Sequence, residues 1–322
     1  MFKTAAGSAI RPGGLFSPGP ATLLGNMTSA APRVTVIIPT YNWSSVLPYS
    51  IGSVLRQSFA DFELLVIGDG CTDDSEAVVA GIADPRVSWV NLPVNAGHQS
   101  GPNNEGLRRA RGELIAYLGH DDLWLPHHLC ALVGEIDAGA DLAYGMNELV
   151  GPDESFFDIA PAFQVYRSGM SITPSSLMHR REVTERIGGW RNFREIEIDP
   201  EADLCARAHG AGLRLVFLPR LTAVKFPAAW RRDAYRRRLS ADQAAWFARI
   251  GREADFEHRE MMRLIYAGKQ GHMLRMRPYR QLWRDLWRET LRRIELRILF
   301  RQFTLAGKGR RIDAHRRYKG LG

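Results

Sequence analysis

Short apolar runs rich in β-branched residues alternate with stretches of helical length from Arg33 onward, and this alternation predicts most of the architecture. Val34–Ile38, closed by Pro39, has the form of a strand buried on both faces. Phe62–Ile67 is a second such run, ending in Gly68, Asp69 and Gly70, and Val87–Asn91 is a third. Glu113–Leu118 is a fourth, followed by the polar loop Gly119–Asp122; Leu142–Gly145, Ser175–His179 and Leu213–Leu218 are further strands. Helices are predicted from Ser44 or Ser45 to about Gln57, from Asp73 or Asp74 to about Ile82, over 99–111, near 126–136 and over 201–209. Residues 147–174 form a longer connection poor in strands, and from about Pro227 the pattern is almost wholly helical.

Strands alternating with helices at this spacing predict a parallel α/β sheet with right-handed crossovers. Ligands of such sheets bind beyond the carboxyl ends of the strands. Three polar loops, 39–42, 68–74 and 119–122, fall at those ends, so topology alone predicts the place of a site.

The 322 residues, 45% of them apolar, suffice for a sizeable core and exclude disorder, collagen and disulfide scaffolds as descriptions of the whole. Cys71, Cys130 and Cys205 are widely spaced with no CxxC pair, which disfavours structural zinc and makes a reducing cytosol the default compartment. No apolar run approaches the roughly 18–20 residues that span a bilayer. The Gly-, Pro-, Ala- and Ser-rich segment 1–32 lacks the apolar stretch of a signal peptide and reads as a disordered leader, with Met27 an alternative start. The net charge of +8 conceals an asymmetry: residues 1–224 hold 17 basic and 25 acidic side chains, residues 225–322 hold 26 and 10. Only five of the 43 basic residues are lysine: Lys3, Lys225, Lys269, Lys308 and Lys319.

The adjacent Asp121 and Asp122 are hard oxygen donors suited to Mg²⁺ or Mn²⁺ shared with substrate phosphates, or else a helix cap. His120, His127 and His128 lie nearby, but their spacing is not that of a zinc motif. Asp69, between two glycines, can accept a hydrogen bond from a nucleotide base or serve in a plain turn. Gly101 and Gly106 are separated as in a phosphate-binding loop, yet Leu107 and Arg108 stand where Lys and Ser or Thr are required. Glu201 and Asp203, entering a helix, are candidates for a general base or are placed there by the helix dipole.

In combination these segments resemble the family 2 glycosyltransferases, inverting enzymes of the GT-A nucleotide-sugar fold, from about Pro32 to Phe226. Val36–Asn42 is similar to the family's opening strand and nucleotide loop, and Leu65–Ser75 to its base-binding segment. Asn95–Gly97, Asn104–Gly106 and Ala110–Glu113 follow in family order, and Tyr117–Pro126 is similar to the Asp-x-Asp-Asp metal loop. His179–Glu182 with Gly188–Trp190 resembles the acceptor-side segment, and Pro200–Leu204 falls where the family supplies its base. The resemblance implies that Asp121 holds Mg²⁺ or Mn²⁺ on the donor diphosphate, that Asp69 contacts the base, that Pro39, Thr40, Tyr41 and Asn42 line the nucleotide pocket, and that Asp122 contributes to it. It implies Glu201, or alternatively Asp203, as the residue that deprotonates the acceptor hydroxyl. Two positions depart from the pattern: Gly68 and Gly119 stand where the family carries acids. A catalytically degenerate nucleotide-binding or scaffolding module of the same fold is therefore the alternative reading.

Beyond the resemblance, Arg280, Arg284, Arg288 and Arg292 recur every four residues beside a stripe that includes Trp283, Leu286, Trp287 and Leu291. Such a helix suits packing on the catalytic domain or a second subunit, or an anionic membrane surface; nucleic acid is the least favoured partner. The expectation is thus a leader over 1–32, an α/β GT-A domain with a mostly parallel sheet over 33–226, and a basic helical extension over 227–322. Its partners are a nucleotide-sugar donor, a UDP-sugar first, and a saccharide or lipid-linked acceptor, in the cytoplasm or at the inner face of the membrane.

Overall fold

The computed structural model describes residues 31–151, 155–158, 165–168, 170–228, 231, 233–274, 312, 313, 316, 317 and 319–321. The amphipathic stripe expected around Arg280–Arg292 and nearly all of the expected leader lie outside these residues.

The chain opens with β1 (Val34–Thr40), a 3₁₀ turn over Ser44–Val46, and α1 (Leu47–Leu55). The helix expected from Ser44 or Ser45 is split because Pro48, which has no N–H to donate, marks the first α turn. There follow β2 (Phe62–Gly68), α2 (Ser75–Ala80), β3 (Val87–Asn91), α3 (Ser100–Arg109) and β4 (Leu114–Tyr117). Then come the two-residue β5 (Leu123–Trp124), α4 (His128–Asp137), β6 (Leu142–Val150), β7 (Ser155–Asp158), β8 (Leu177–Arg180) and α5 (Arg181–Ile187). The described chain continues through α6 (Pro200–Gly210), β9 (Leu215–Lys225), α7 (Ala234–Arg237), α8 (Ala241–Arg252) and α9 (Phe256–Leu274).

The strands form one sheet in the order β3-β2-β1-β4-β8-β6-β9-β5, with β7 on β6. Its first half, β3-β2-β1-β4, is parallel throughout, as the alternating pattern predicts. Beyond β4 the sheet is mixed: β8 runs antiparallel to both β4 and β6, while β9 runs parallel to β6. Every residue of β1 is buried, because Val34, Val36 and Ile38 pack with α1 and α4 on one face and Ile37 packs on the other with Leu204 and Cys205 of α6. This two-sided burial explains the nearly continuous apolar runs, whose polar members Thr35 and Glu63 are hydrogen-bonded to each other at 2.7 Å.

The extension begins on the domain rather than apart from it. A Cβ on Gly52 of α1 would lie 2.8 Å from the Phe247 ring of α8, so this glycine lets the two helices approach. Arg263 of α9 pairs with the buried Glu148 of β6 at 2.6 Å.

Candidate functional site

The three loops at the carboxyl ends of β1, β2 and β4 converge. Asn42, after β1, has the left-handed backbone angle φ 44°, which asparagine tolerates better than most side chains. Its Oδ1 accepts from the backbone N–H of Thr72 at 2.7 Å, tying the first loop to the second. Asp69 ends β2 nearly buried, and its Oδ1 accepts from the Ala96 N–H at 2.7 Å while Oδ2 accepts from the Asn95 amide at 3.1 Å. Burial raises the Asp69 carboxyl pKa, and the hydrogen bonds from Ala96 and Gly97 oppose that rise.

The loop after β4 separates its two acids. Asp122 is fully buried: its carboxylate accepts from the Phe226 N–H at 3.0 Å, the Lys225 ammonium at 2.9 Å and the Ser175 hydroxyl at 2.5 Å. Asp121 is half-buried on the wall of a cavity of about 370 Å³. Burial, and then the charge of Asp122, push its carboxyl up to about 7, against the pull of Lys225 and Lys319. A half-buried carboxylate with so unfavourable a charge fits a divalent cation held by one or two carboxylates together with substrate phosphates. Among the described residues no group of three or more His, Cys, Asp or Glu forms an all-protein metal cage.

Glu201 enters α6 one residue after Pro200, and among the described residues its buried Oε2 has no hydrogen-bond partner. Burial and then the charge of Asp199 raise its pKa, offset by its backbone N–H, Lys225 and Lys319. Asp203, two residues on and so on the other side of the helix, is turned away: Arg207 donates to it at 2.8 Å and Arg191 at 3.4 Å, and it is absent from the cavity wall.

Pro39, Thr40, Tyr41, Asp69, Asp121 and Glu201 therefore line one cavity, whereas Asn42, Asp122 and Asp203 brace the elements around it. The two glycine departures have physical explanations. A Cβ on Gly68 would meet Asn91 Oδ1 at 2.5 Å and the Trp89 ring at 2.7 Å, and one on Gly119 would meet Asp122 Oδ2 at 2.7 Å. The space of each missing acid is occupied by a neighbouring polar group.

His120, Tyr235 and Lys225 are among the wall residues outside the sequence expectation. His120 is buried; the Tyr41 N–H donates to its Nδ1, which also bonds Thr40 Oγ1 at 2.9 Å, so the ring proton sits on Nε2 and is shared with the Tyr235 hydroxyl at 3.2 Å. Burial lowers its pKa to about 4, keeping the ring neutral near pH 7. Tyr235 comes from α7, and Lys225 from the end of β9, where burial disfavours its ammonium but Asp122, Asp121 and Glu201 outweigh that and raise its pKa. A lysine in so arginine-rich a chain was the available signal for Lys225; nothing local marked Tyr235.

The fold is that of the GT-A glycosyltransferases. Residues 35–193 match the family described as Glycosyl transferase family 2, and over that span the chain is a member of it. Over 96 residues the chain is 35% identical to an Escherichia coli protein named UDP-Glc:alpha-D-GlcNAc-diphosphoundecaprenol beta-1,3-glucosyltransferase WfgD, covering 30% of this chain and 38% of that one. Among solved structures, Staphylococcus aureus TarS 1–349 in complex with UDP-GlcNAc shares the fold with a TM-score of 0.52 at 17% identity, covering 89% of this chain and 90% of that one. The mannosyltransferase PcManGT of Pyrobaculum calidifontis, in complex with GDP-Man and Mn2+, gives a TM-score of 0.52 at 21% identity over 70% of this chain and 66% of that one. The match spans about half the length, or less, of the curated relatives.

Proposed function

We propose that the protein transfers a sugar from a nucleoside-diphosphate donor to a hydroxyl acceptor with inversion at the anomeric carbon. The observation that carries this reading is the buried Glu201 Oε2, which has no hydrogen-bond partner among the described residues, on the wall that also bears Asp121 and Asp69. Asp69, Thr40 and Tyr41 bind and orient the nucleotide. Asp121 would hold Mg²⁺ or Mn²⁺ against the donor phosphates, and the cation, when bound, neutralises charge developing on the leaving diphosphate. Glu201 takes the proton of the acceptor hydroxyl, whose oxygen bonds to the anomeric carbon as the bond to the diphosphate oxygen breaks and the nucleoside diphosphate leaves with that electron pair. Lys225, Ser175 and the Phe226 N–H hold Asp122, and so fix the loop that presents Asp121.

A UDP-sugar donor and a saccharide or diphospholipid-linked acceptor are the substrates to try first, supported by the names of the Escherichia coli relative and the TarS complex. The test is product formation from a panel of nucleotide sugars with Mn²⁺ and such acceptors. Transfer that requires Glu201 supports the proposal. Nucleotide binding with neither transfer nor donor hydrolysis across the panel would sink it in favour of a nucleotide-binding module.

A further inference from the structure

The last described residues of the chain reach the cavity. Ile312, Arg316, Lys319 and Leu321 lie on its wall, more than 80 positions after Lys225 in the sequence. This segment is seated by a backbone contact, the Tyr235 N–H donating to the Lys319 carbonyl at 3.1 Å, and is closed on itself by the Leu321 N–H donating to the Arg316 carbonyl at 2.9 Å. Gly320, at φ 86°, packs where a Cβ would lie 2.9 Å from the Arg236 side chain. The Arg316 guanidinium donates to the carbonyl of Gly97, in the loop whose N–H groups hold Asp69.

The two side chains add charge where the cavity already has acids. Lys225 is committed to Asp122 at 2.9 Å. Lys319 is not: among the described residues its ammonium makes no hydrogen bond or ion pair, although it feels the charges of Asp121 and Glu201. Desolvation lowers its pKa, an electrostatic cost that an anion in the cavity would offset. Lys225 and Lys319 are two of only five lysines in a chain that otherwise uses arginine, and lysine is the compact point charge suited to phosphate. With the segment in place the cavity still measures about 370 Å³, so these residues form a wall and leave the space open.

We infer that Arg316 and Lys319 belong to the donor site and bind the diphosphate of a nucleoside diphosphate. The inference rests on the nucleotide reading above and extends it to residues far outside the family match, which ends at 193. The test is calorimetry on the full chain in Mg²⁺ with UDP and GDP, each against its monophosphate, for wild type, Arg316→Gln, Lys319→Gln and the charge-conserving Lys319→Arg.

Loss of one charge-assisted hydrogen bond predicts about a tenfold or greater loss of diphosphate affinity for each Gln variant. The monophosphate affinity should stay within about twofold, and Lys319→Arg should keep most of the diphosphate affinity, since the charge is what binds. Diphosphate affinity unchanged in both Gln variants would overturn the inference and leave the nucleotide reading intact. Tighter binding by the variants would overturn it by making the segment an obstruction. A loss in Lys319→Arg equal to that in Lys319→Gln would overturn it by assigning packing in place of charge. Failure of the wild type to bind either diphosphate would overturn both readings.

Discussion

In the proposed reaction the carboxylates of Asp121 and Glu201 do different things, and single substitutions separate them. Replacing Glu201 with Gln keeps the size and removes the base, so kcat should fall by roughly 10²–10⁴ with donor KM little changed, measured as initial rates of transfer. Asp121→Asn should abolish metal-dependent transfer and, in the metal-free protein, raise thermal stability at pH 8. The sign follows from its carboxyl lying at about 7 when folded, above the ordinary carboxylate value. Between these values the folded state holds the extra proton, so wild-type stability falls as pH rises through this range and the variant escapes that loss. A melting-temperature gain of about 2–4 °C at pH 8 for each kcal/mol relieved, vanishing toward pH 4, is the expected signature. At subsaturating Mg²⁺ or Mn²⁺ activity should decline as pH drops through about 7, where a proton competes with the cation for Asp121, and saturating metal should move the decline to lower pH. The acids themselves were legible from their loops. Their separation was not, because only the fold turns Asp122 onto Lys225 and the Phe226 N–H while Asp121, its neighbour, meets the cavity. Gly68 and Gly119 read as losses in the sequence, and become intelligible through Asn91, Trp89 and Asp122, partners that lie close only in space in the first case. Gly68→Asp alone should destabilise by about 1–3 kcal/mol through overpacking, in denaturant titration, and Asn91→Gly should recover part of it.

Elements with two-sided burial were the most legible. The runs of β1 and β2, buried throughout, fix those strands nearly to the residue, because short β-branched runs between turn signals suit a buried parallel strand; β3, partly exposed at the sheet edge, is marked by its β-branched and aromatic residues instead. The far half of the sheet was harder. Pro219 and Arg220 interrupt the apolar pattern inside β9, yet the strand continues to Lys225 by pairing with β6, across a register shift near Met146. Two-residue β5 and the helix α5, with its four charged residues in seven, carry too little periodicity to announce themselves. The seat of α8 depends on Gly52, so Gly52→Val should push Phe247 off α1 and speed amide exchange in Ala241–Arg252 while β1 and β2 stay protected.

Across the whole molecule, acidic residues concentrate in the part that carries the carboxylate site, and basic residues in the part after Val224. Part of that basic excess is spent internally: Arg249 pairs with Glu253 and Glu260, Arg263 with Glu148, and Arg316 reaches Gly97. The proposal that the remainder meets an anionic bilayer predicts flotation of the full chain with vesicles containing anionic lipid, lost in neutral vesicles and at high salt; equal behaviour on both would dismiss it. The Gly97–Arg316 contact closes a loop of 219 positions, whereas the strands β1 to β4 pair over far shorter separations. Long-range closure comes late and slowly when a chain folds. In a refolding experiment the sheet should thus regain its circular dichroism before the protein regains its grip on a nucleotide, and the interval between the two is a clock for the arrival of the C-terminal segment.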